Sequence, residues 1–520
     1  MSGELFRKSA RELSSLLTKG EVSSVEVTRT HLDRIAAVDG KLRAFTVVWR
    51  DEALASAQRA DEERSRGEAR GPLHGLPVSI KECLDVAGQA TTLGLHSRRD
   101  RKAPRDAALV ELLRGAGAVL LGRTNISQTM MFQEARNPIF GQTANPFSLA
   151  HTPGGSSGGE GAAIASGCSP LGIGTDIGGS VRVPAAFSGV CGLKPTLDRW
   201  PMRGSQTMMP GQEVVRGMAG PLARTTADLT LLMTAFSPAK QAALDPRTPP
   251  LPVEDPASHD VRGARVGWYV EDGFVKTSTA IARGVERARA ALLARGCELV
   301  PFTPPLFEEA TLGYFAALSA DGGHVLRNAV AGGPVDPVIA GLMRIGRLPQ
   351  AARTGIAWLL ERRGELAAAK LLRVVREKSV PELQEITIAL RRVRAVLLDA
   401  MDDQRIDFLL CPAFATPAVP HGLTRDFVVA GAHSMLFNTV QFPAGVVPVG
   451  TVRANEILRP GARGRLETRA AEVDRQSAGL PIAVQLVARP WQESRLLAIM
   501  SALEAEVRRD PEYPITPHDV

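Results

Sequence analysis

An α/β architecture is the fold class that this sequence predicts, and three observations carry it. From Gly71 to Ala235, short apolar runs alternate with helix-like stretches of small residues. Two further apolar runs, one starting at Arg265 and reaching Val270 and one reading DFLLCPAFATP from Asp407 to Pro417, read as strands, the second of them buried. Between Ala10 and about Arg70 the pattern is helical, with opposite charges at i, i+3, such as Glu26 and Arg29, on exposed faces.

The 520 residues are 44% hydrophobic and 22% charged, which predicts a soluble globular chain with ample core. Length alone suggests about three domains. Prolines crowd residues 238–256 (DPRTPPLPVEDP lies there), which predicts an extended loop rather than a domain linker. No internal repeat is evident. Cys83, Cys168, Cys191, Cys297 and Cys411 are odd in number, scattered and without CxxC spacing, so they fit reduced thiols in a cytoplasmic protein rather than disulfides or a zinc site. The opening MSGELFRKSARELSSLL lacks the apolar core of a signal peptide and suits an amphipathic helix. No run of about eighteen apolar residues occurs, so no transmembrane span is expected.

Function is concentrated between Gly154 and Pro184, GGSSGGEGAAIASGCSPLGIGTDIGGSVRVP. Two serine-bearing glycine loops, GGSSGG and DIGGS, flank one small-residue run. Glycines around a serine let the backbone turn sharply enough to expose the hydroxyl. They also aim bare N–H groups into one concavity where an oxyanion can sit. A base is available upstream in GLPVSIKE, where Lys81 follows an apolar run.

Each part also has a plainer explanation. Glycine-serine clusters are usually flexible loops, but GGSSGG sits between Thr152-Pro153 and AAIASG, which looks like a packed helix. A phosphate loop requires GxxxxGK[ST], and no lysine follows Gly159. Gly172 and Gly174 are followed by Gly178, one residue too far for GxGxxG. A single lysine is normally solvated. The specific signal is the ordered combination of lysine, first serine loop and second serine loop.

That combination resembles the amidase-signature family of serine hydrolases, from about Ala10 to about Val507. The resemblance implies one large α/β/α domain built on a central twisted mixed sheet covered by helices. Within it, residues 1–70 form N-terminal helices packing on the core, and 71–520 a single amidase domain with its catalytic core at 71–235. By the same resemblance Lys81 matches the base, Ser156 the bridging serine after a cis peptide at Gly155, and Ser180 the nucleophile. The N–H groups of Ile177, Gly178, Gly179 and Ser180 match the oxyanion hole, and Asp176 and Arg182 match supporting polar positions. No metal or organic cofactor is implied.

Four outer segments are similar to the fatty-acid amide hydrolase branch: KECLDVAGQATTLGL from Lys81, NPIFGQTANP from Asn137, MLFNTVQFPAGVVPV from Met435 and GLPIAVQLVARPWQE from Gly479. This implies hydrolysis of linear amides, with long-chain fatty acid amides or N-acyl amines as substrates. Met130, Met131, Met435 and Trp491 match positions near the acyl tunnel or its mouth. Animal members of the branch carry an N-terminal membrane helix, and this sequence departs from them there. Alternatives within the family are an amidase of short or aryl amides and an amidotransferase-type subunit that needs partner chains. Relatives often form homodimers.

The residue types suit the chemistry. Serine is a poor nucleophile until a base takes its proton. A solvated lysine, with a pKa of about 10.4, cannot do so near neutrality, whereas burial disfavours the ammonium. Val78 and Ile80 precede Lys81, so a desolvated lysine is expected. A Ser-His-Asp hydrolase would need His74 or His151, and neither sits in a glycine turn. A thiol mechanism through Cys83 would leave both serine loops unexplained, so packing is its expected role.

Residues 338–378 hold nine basic side chains against three acidic ones, most of the chain's net charge of +7. Apolar residues, including Val338, Ile339, Ile345, Ile356, Trp358 and Leu359, share the window. This pattern fits a membrane-facing helical cap making peripheral contact with lipid, or a solvated face whose apolar side packs on the domain. No aromatic interleaving or motif points to nucleic acid.

Overall fold

In the computed structural model, which describes residues 2–462 and 464–520, one mixed sheet organises the chain. Its early strands are β1 (Phe45–Val48), β2 (Pro77–Lys81) and β3 (Val119–Thr124). A two-stranded hairpin of β4 (Arg136–Asn137) and β5 (Gly141–Gln142) stands apart. Next come β6 (Leu171–Asp176), β7 (Cys191–Lys194) and β8 (Met218–Ala223). The later strands are β9 (Arg265–Trp268), β10 (Glu298–Pro301), β11 (Phe408–Pro412), β12 (Ala444–Thr451) and β13 (Pro481–Ala488). The sheet order is β1-β3-β2-β6-β8-β7-β12-β13-β11-β9-β10.

The strands run in both directions. β2 pairs in parallel with β3 and β6, whereas β8, β7, β12 and β13 form an antiparallel centre. Central strands are buried along almost their whole length, as β13 (PIAVQLVA) illustrates, because helices cover both faces. Val78, Ile80, Ile173, Leu193, Val446 and Leu486 meet in one continuous core. Strands from both halves of the chain therefore share a hydrophobic interior.

Two expectations need correction. Residues 1–70 are not helices alone. The helices Ala10–Lys19 and Ser24–Leu42 begin with Ser9/Glu12 and Ser23/Glu26 capping boxes, but Phe45–Val48 then forms an edge strand antiparallel to β3. The run FTVV, aromatic and β-branched, favours that extended form. Nor is 238–256 an extended loop throughout, because Pro238–Leu244 is helical. Pro238 opens this helix, where its fixed φ fits and its missing N–H is not needed.

Among the described residues no helix is long and apolar enough to cross a membrane. All five cysteines are free and buried.

Candidate active site

Lys81 closes β2, between β3 and β6, and its side chain is fully buried. The Nζ donates to Ser156 Oγ at 2.8 Å, to Thr175 Oγ1 at 2.8 Å and to the Thr175 carbonyl at 3.3 Å. Burial pulls the lysine down to about 8, against the opposing influence of Cys83, Asp176, Glu160 and Glu82. The neutral form, which a general base requires, is thereby brought far closer to neutral pH than in a solvated lysine.

Ser156 follows a cis peptide bond from Gly155, as the resemblance implied. The Gly158–Ala165 helix begins two residues later, and its small residues are buried along its length. Ser156 is thus placed between the helix and the end of β2. The second serine is joined to this loop by backbone: the Ser157 N–H donates to the Ser180 carbonyl at 3.2 Å. The Ser180 hydroxyl takes no hydrogen-bond partner among the described residues and is not bonded to Ser156, so it is uncommitted.

Asp176, the last residue of β6, orders the turn that carries Ser180. Its Oδ1 accepts from the Gly179 N–H at 2.8 Å, and its Oδ2 accepts from the Val181 N–H at 3.1 Å. Arg182 Nη2 lies 2.9 Å from Oδ1 and Nε 3.0 Å from Oδ2, with both side chains fully buried. Burial alone would raise the Asp176 carboxyl, but the Arg182 guanidinium holds it below the usual carboxylate range. The remaining Arg182 donors reach the Ser434 carbonyl at 2.9 Å, Gln485 Oε1 at 2.6 Å and Asn438 Oδ1 at 2.5 Å. A fully satisfied buried cation thereby ties the serine turn to β13 and to the Ala432–Thr439 helix.

This arrangement changes one expectation. The Gly179 N–H is spent on Asp176, so it does not stand free for an oxyanion. The amides of Ile177, Gly178 and Ser180 have no acceptor among the described residues. Gly179 adopts φ +105°, which orients the turn and strains any other residue. A Cβ at Gly178 would stand 2.2 Å from the Tyr314 hydroxyl oxygen, so only glycine fits.

The four residues expected near an acyl tunnel or its mouth fall in three places. Met130 and Met131 pack in an apolar cluster with Cys83, Phe132, Val338 and Ile339. Met435 belongs to another, with Ile177, Val215, Tyr314 and Leu390. Trp491 joins neither. It is 42% exposed, donates its backbone N–H to Thr196 Oγ1 and lies under the Arg199 guanidinium.

The competing nucleophile partners lie elsewhere. His74 Nε2 bonds the Ala60 carbonyl, and His151 Nδ1 bonds Ser148 Oγ. Cys83 is buried, its thiol pushed up by burial, and rests 3.6 Å from Thr175 Oγ1.

Three neighbours of these residues escaped the sequence reading. Thr175 is a ligand of the Lys81 ammonium, Tyr314 reaches the Gly178 turn from a distant helix, and Glu160 lies fully buried behind Lys81. Glu160 did carry a signal, being an acid in a helix otherwise made of small apolar residues. Tyr314 carried none, because its proximity is purely tertiary.

The amidase family model matches residues 26–497. Fatty-acid amide hydrolase 1 of Sus scrofa is 34% identical over 499 residues, covering 95% of this chain and 84% of that protein. Fatty acid amide hydrolase 1 of Caenorhabditis elegans is 30% identical over 512 residues, covering 95% and 87%. A solved fatty acid amide hydrolase superposes with a TM-score of 0.87 at 28% identity, covering 97% of this chain and 86% of that one.

Proposed function

This chain belongs to the amidase family and is an amide-hydrolysing enzyme, and from that premise we propose that Ser180, Ser156 and Lys81 carry out the reaction on long-chain fatty acid amides or N-acyl amines. The observation that carries the catalytic reading is the buried Lys81 Nζ placed 2.8 Å from Ser156 Oγ. The Ser180 hydroxyl passes its proton to Ser156 as Ser156 passes its own to neutral Lys81. Ser180 Oγ then bonds to the acyl carbon, and the oxyanion is held by the amides of Ile177, Gly178 and Ser180. The proton returns by the same relay to the departing nitrogen as the C–N bond breaks. Water attacks the acyl-enzyme in the reverse sense and frees Ser180. A relay bond that is open without substrate and tightens with it is the usual behaviour of such sites.

Substrate class is argued from the cap. The Pro337–Gly346 helix buries Val338 and Ile339 in the same apolar cluster as Met130, Met131 and Cys83. Its far end, with the following Gln350–Arg362 helix, exposes Ile345, Ile356, Trp358 and Leu359. Of the nine basic residues in the window, six are engaged, Arg362 by stacking over the Trp358 ring at 4.1 Å. Arg353 and Lys378 bond backbone carbonyls, and Lys370, Arg373 and Arg376 pair with Glu308, Glu361 and Glu382. Arg344, Arg347, Arg362 and Arg363 form no ion pair among the described residues and are exposed. Apolar side chains beside unpaired cations suit a peripheral seat on an anionic leaflet. The inner face of the same cap packs in the cluster that holds Cys83, two residues beyond Lys81, which sets the cap's apolar side near the base.

The test is a hydrolysis panel of primary amides graded from acetyl to oleoyl and arachidonoyl. Rising kcat/KM with chain length supports the reading, and a maximum at acetamide overturns it.

A further inference from the structure

Glu160 is the one acidic residue of the Gly158–Ala165 helix, four positions after Ser156, and it is fully buried. Its Oε2 accepts from Ser79 Oγ at 2.6 Å, and its Oε1 accepts from Thr124 Oγ1 at 2.8 Å. Both partners bear on the base. Ser79 is on β2, two residues before Lys81 and on the same face. Thr124 is the register partner of Lys81 on β3. β6 leaves room for the carboxyl, because a Cβ at Gly172 would stand 2.0 Å from Glu160 Oε2. One buried carboxyl thus joins the helix behind the bridging serine to the two strands that hold the base.

We propose that Glu160 is a positioning residue that fixes Lys81 against Ser156 and sets the pH at which the lysine becomes neutral. The inference rests on the assignment of Lys81 as base. Burial raises the Glu160 carboxyl to about 7, with the Ser79 and Thr124 hydrogen bonds opposing. Its ionisation therefore falls in the same pH range as that of Lys81, and the two titrate as a pair. A negative Glu160 favours the ammonium and delays the neutral form to higher pH. The other titratable groups facing Lys81 are Cys83 and Glu82 beyond β2 and Asp176 at the end of β6. Asp176 stays ionised beside Arg182 and burial raises the Cys83 thiol, so the charges that vary are the carboxyls of Glu160 and Glu82, both raised by burial, and of these Glu160 is the one bonded to the strands that hold the lysine.

Glu160→Gln keeps a group able to bond both hydroxyls and removes the charge. The acidic limb of kcat/KM is expected to move toward acid by roughly 1 pH unit. A folded Glu160→Gln protein whose limb matches the parent's overturns the proposal, since a purely structural carboxyl would lower turnover without moving the limb. Should that variant not fold, Ser79→Ala serves instead. It removes one donor to the carboxylate, keeps Glu160 protonated to higher pH and shifts the limb in the same direction, and an unmoved limb there overturns the proposal equally. Lys81→Ala separates the two levels of the argument. If it retains the parent's activity and limb, the base assignment falls and this inference with it. If it is inactive while the Glu160→Gln limb stays put, only this inference falls.

Discussion

Lys81 Nζ sits 2.8 Å from Ser156 Oγ at the closed end of β2, with no solvent contact. A lysine so placed costs the fold something, and the cost has a testable pH dependence. Its folded pKa is about 8 against 10.5 for the free side chain. Below about pH 8 the lysine is protonated in both states and the full burial penalty applies. Between those two values the unfolded chain binds a proton that the folded one lacks, so the penalty shrinks as pH rises. Lys81→Met is expected to match or exceed the parent's Tm at pH 7, with its advantage fading toward pH 10, while activity falls at least about 100-fold. Thermal melts across pH, paired with amide turnover, check both halves.

The Asp176–Arg182 pair should behave in the opposite way. Removing one partner leaves a buried charge without compensation, which costs roughly 3–5 kcal/mol. Arg182→Met is therefore expected to lower stability strongly and to disorder the Ser180 turn, whose amides Asp176 holds. Denaturant unfolding of Arg182→Met alongside Lys81→Met measures the contrast. Equal stability of the two variants contradicts it.

Steric exclusion at Gly178 gives a rescue experiment. Gly178→Ala places a methyl 2.2 Å from the Tyr314 hydroxyl oxygen and should disturb the turn amides, lowering kcat. Adding Tyr314→Phe removes that oxygen, though the ring carbon beneath it remains at 3.0 Å. Partial recovery of kcat in the double variant is the expected result, and strict additivity of the two losses speaks against the contact.

The cap is tested by charge reversal. Each basic residue near an anionic leaflet contributes about 1 kcal/mol, within a Debye length. Reversing Arg344, Arg347, Arg362 and Arg363 to glutamate should abolish salt-sensitive co-sedimentation with phosphatidylglycerol liposomes. Oleoyl amide hydrolysis in liposomes should slow, and a short soluble amide should be spared. Undiminished liposome binding by the reversed protein would reduce the cap to a solvated face.

Much of this architecture was legible because the informative residues are local in sequence. The glycines flanking Ser156 and Ser180 dictate turns that few other residues allow, and the apolar run before Lys81 foretells its burial. What escaped depends on contacts across the sheet. FTVV at 45–48 becomes a strand only because β3 offers it an edge, and short apolar runs do not declare their partners. The Gly179 amide looked available until Asp176 was placed under the turn. Trp491 matched a tunnel-mouth position, yet it packs on Arg199 and belongs to neither apolar cluster.

The central claim, that Ser180 is acylated through a relay ending at Lys81, is most directly tested by fluorophosphonate labelling with mass-spectrometric mapping of the adduct. The adduct is expected on Ser180, lost in Ser180→Ala, slowed strongly in Lys81→Ala and intact in Cys83→Ala. Labelling that persists in Ser180→Ala, or that maps to Ser156 or Cys83, would contradict it.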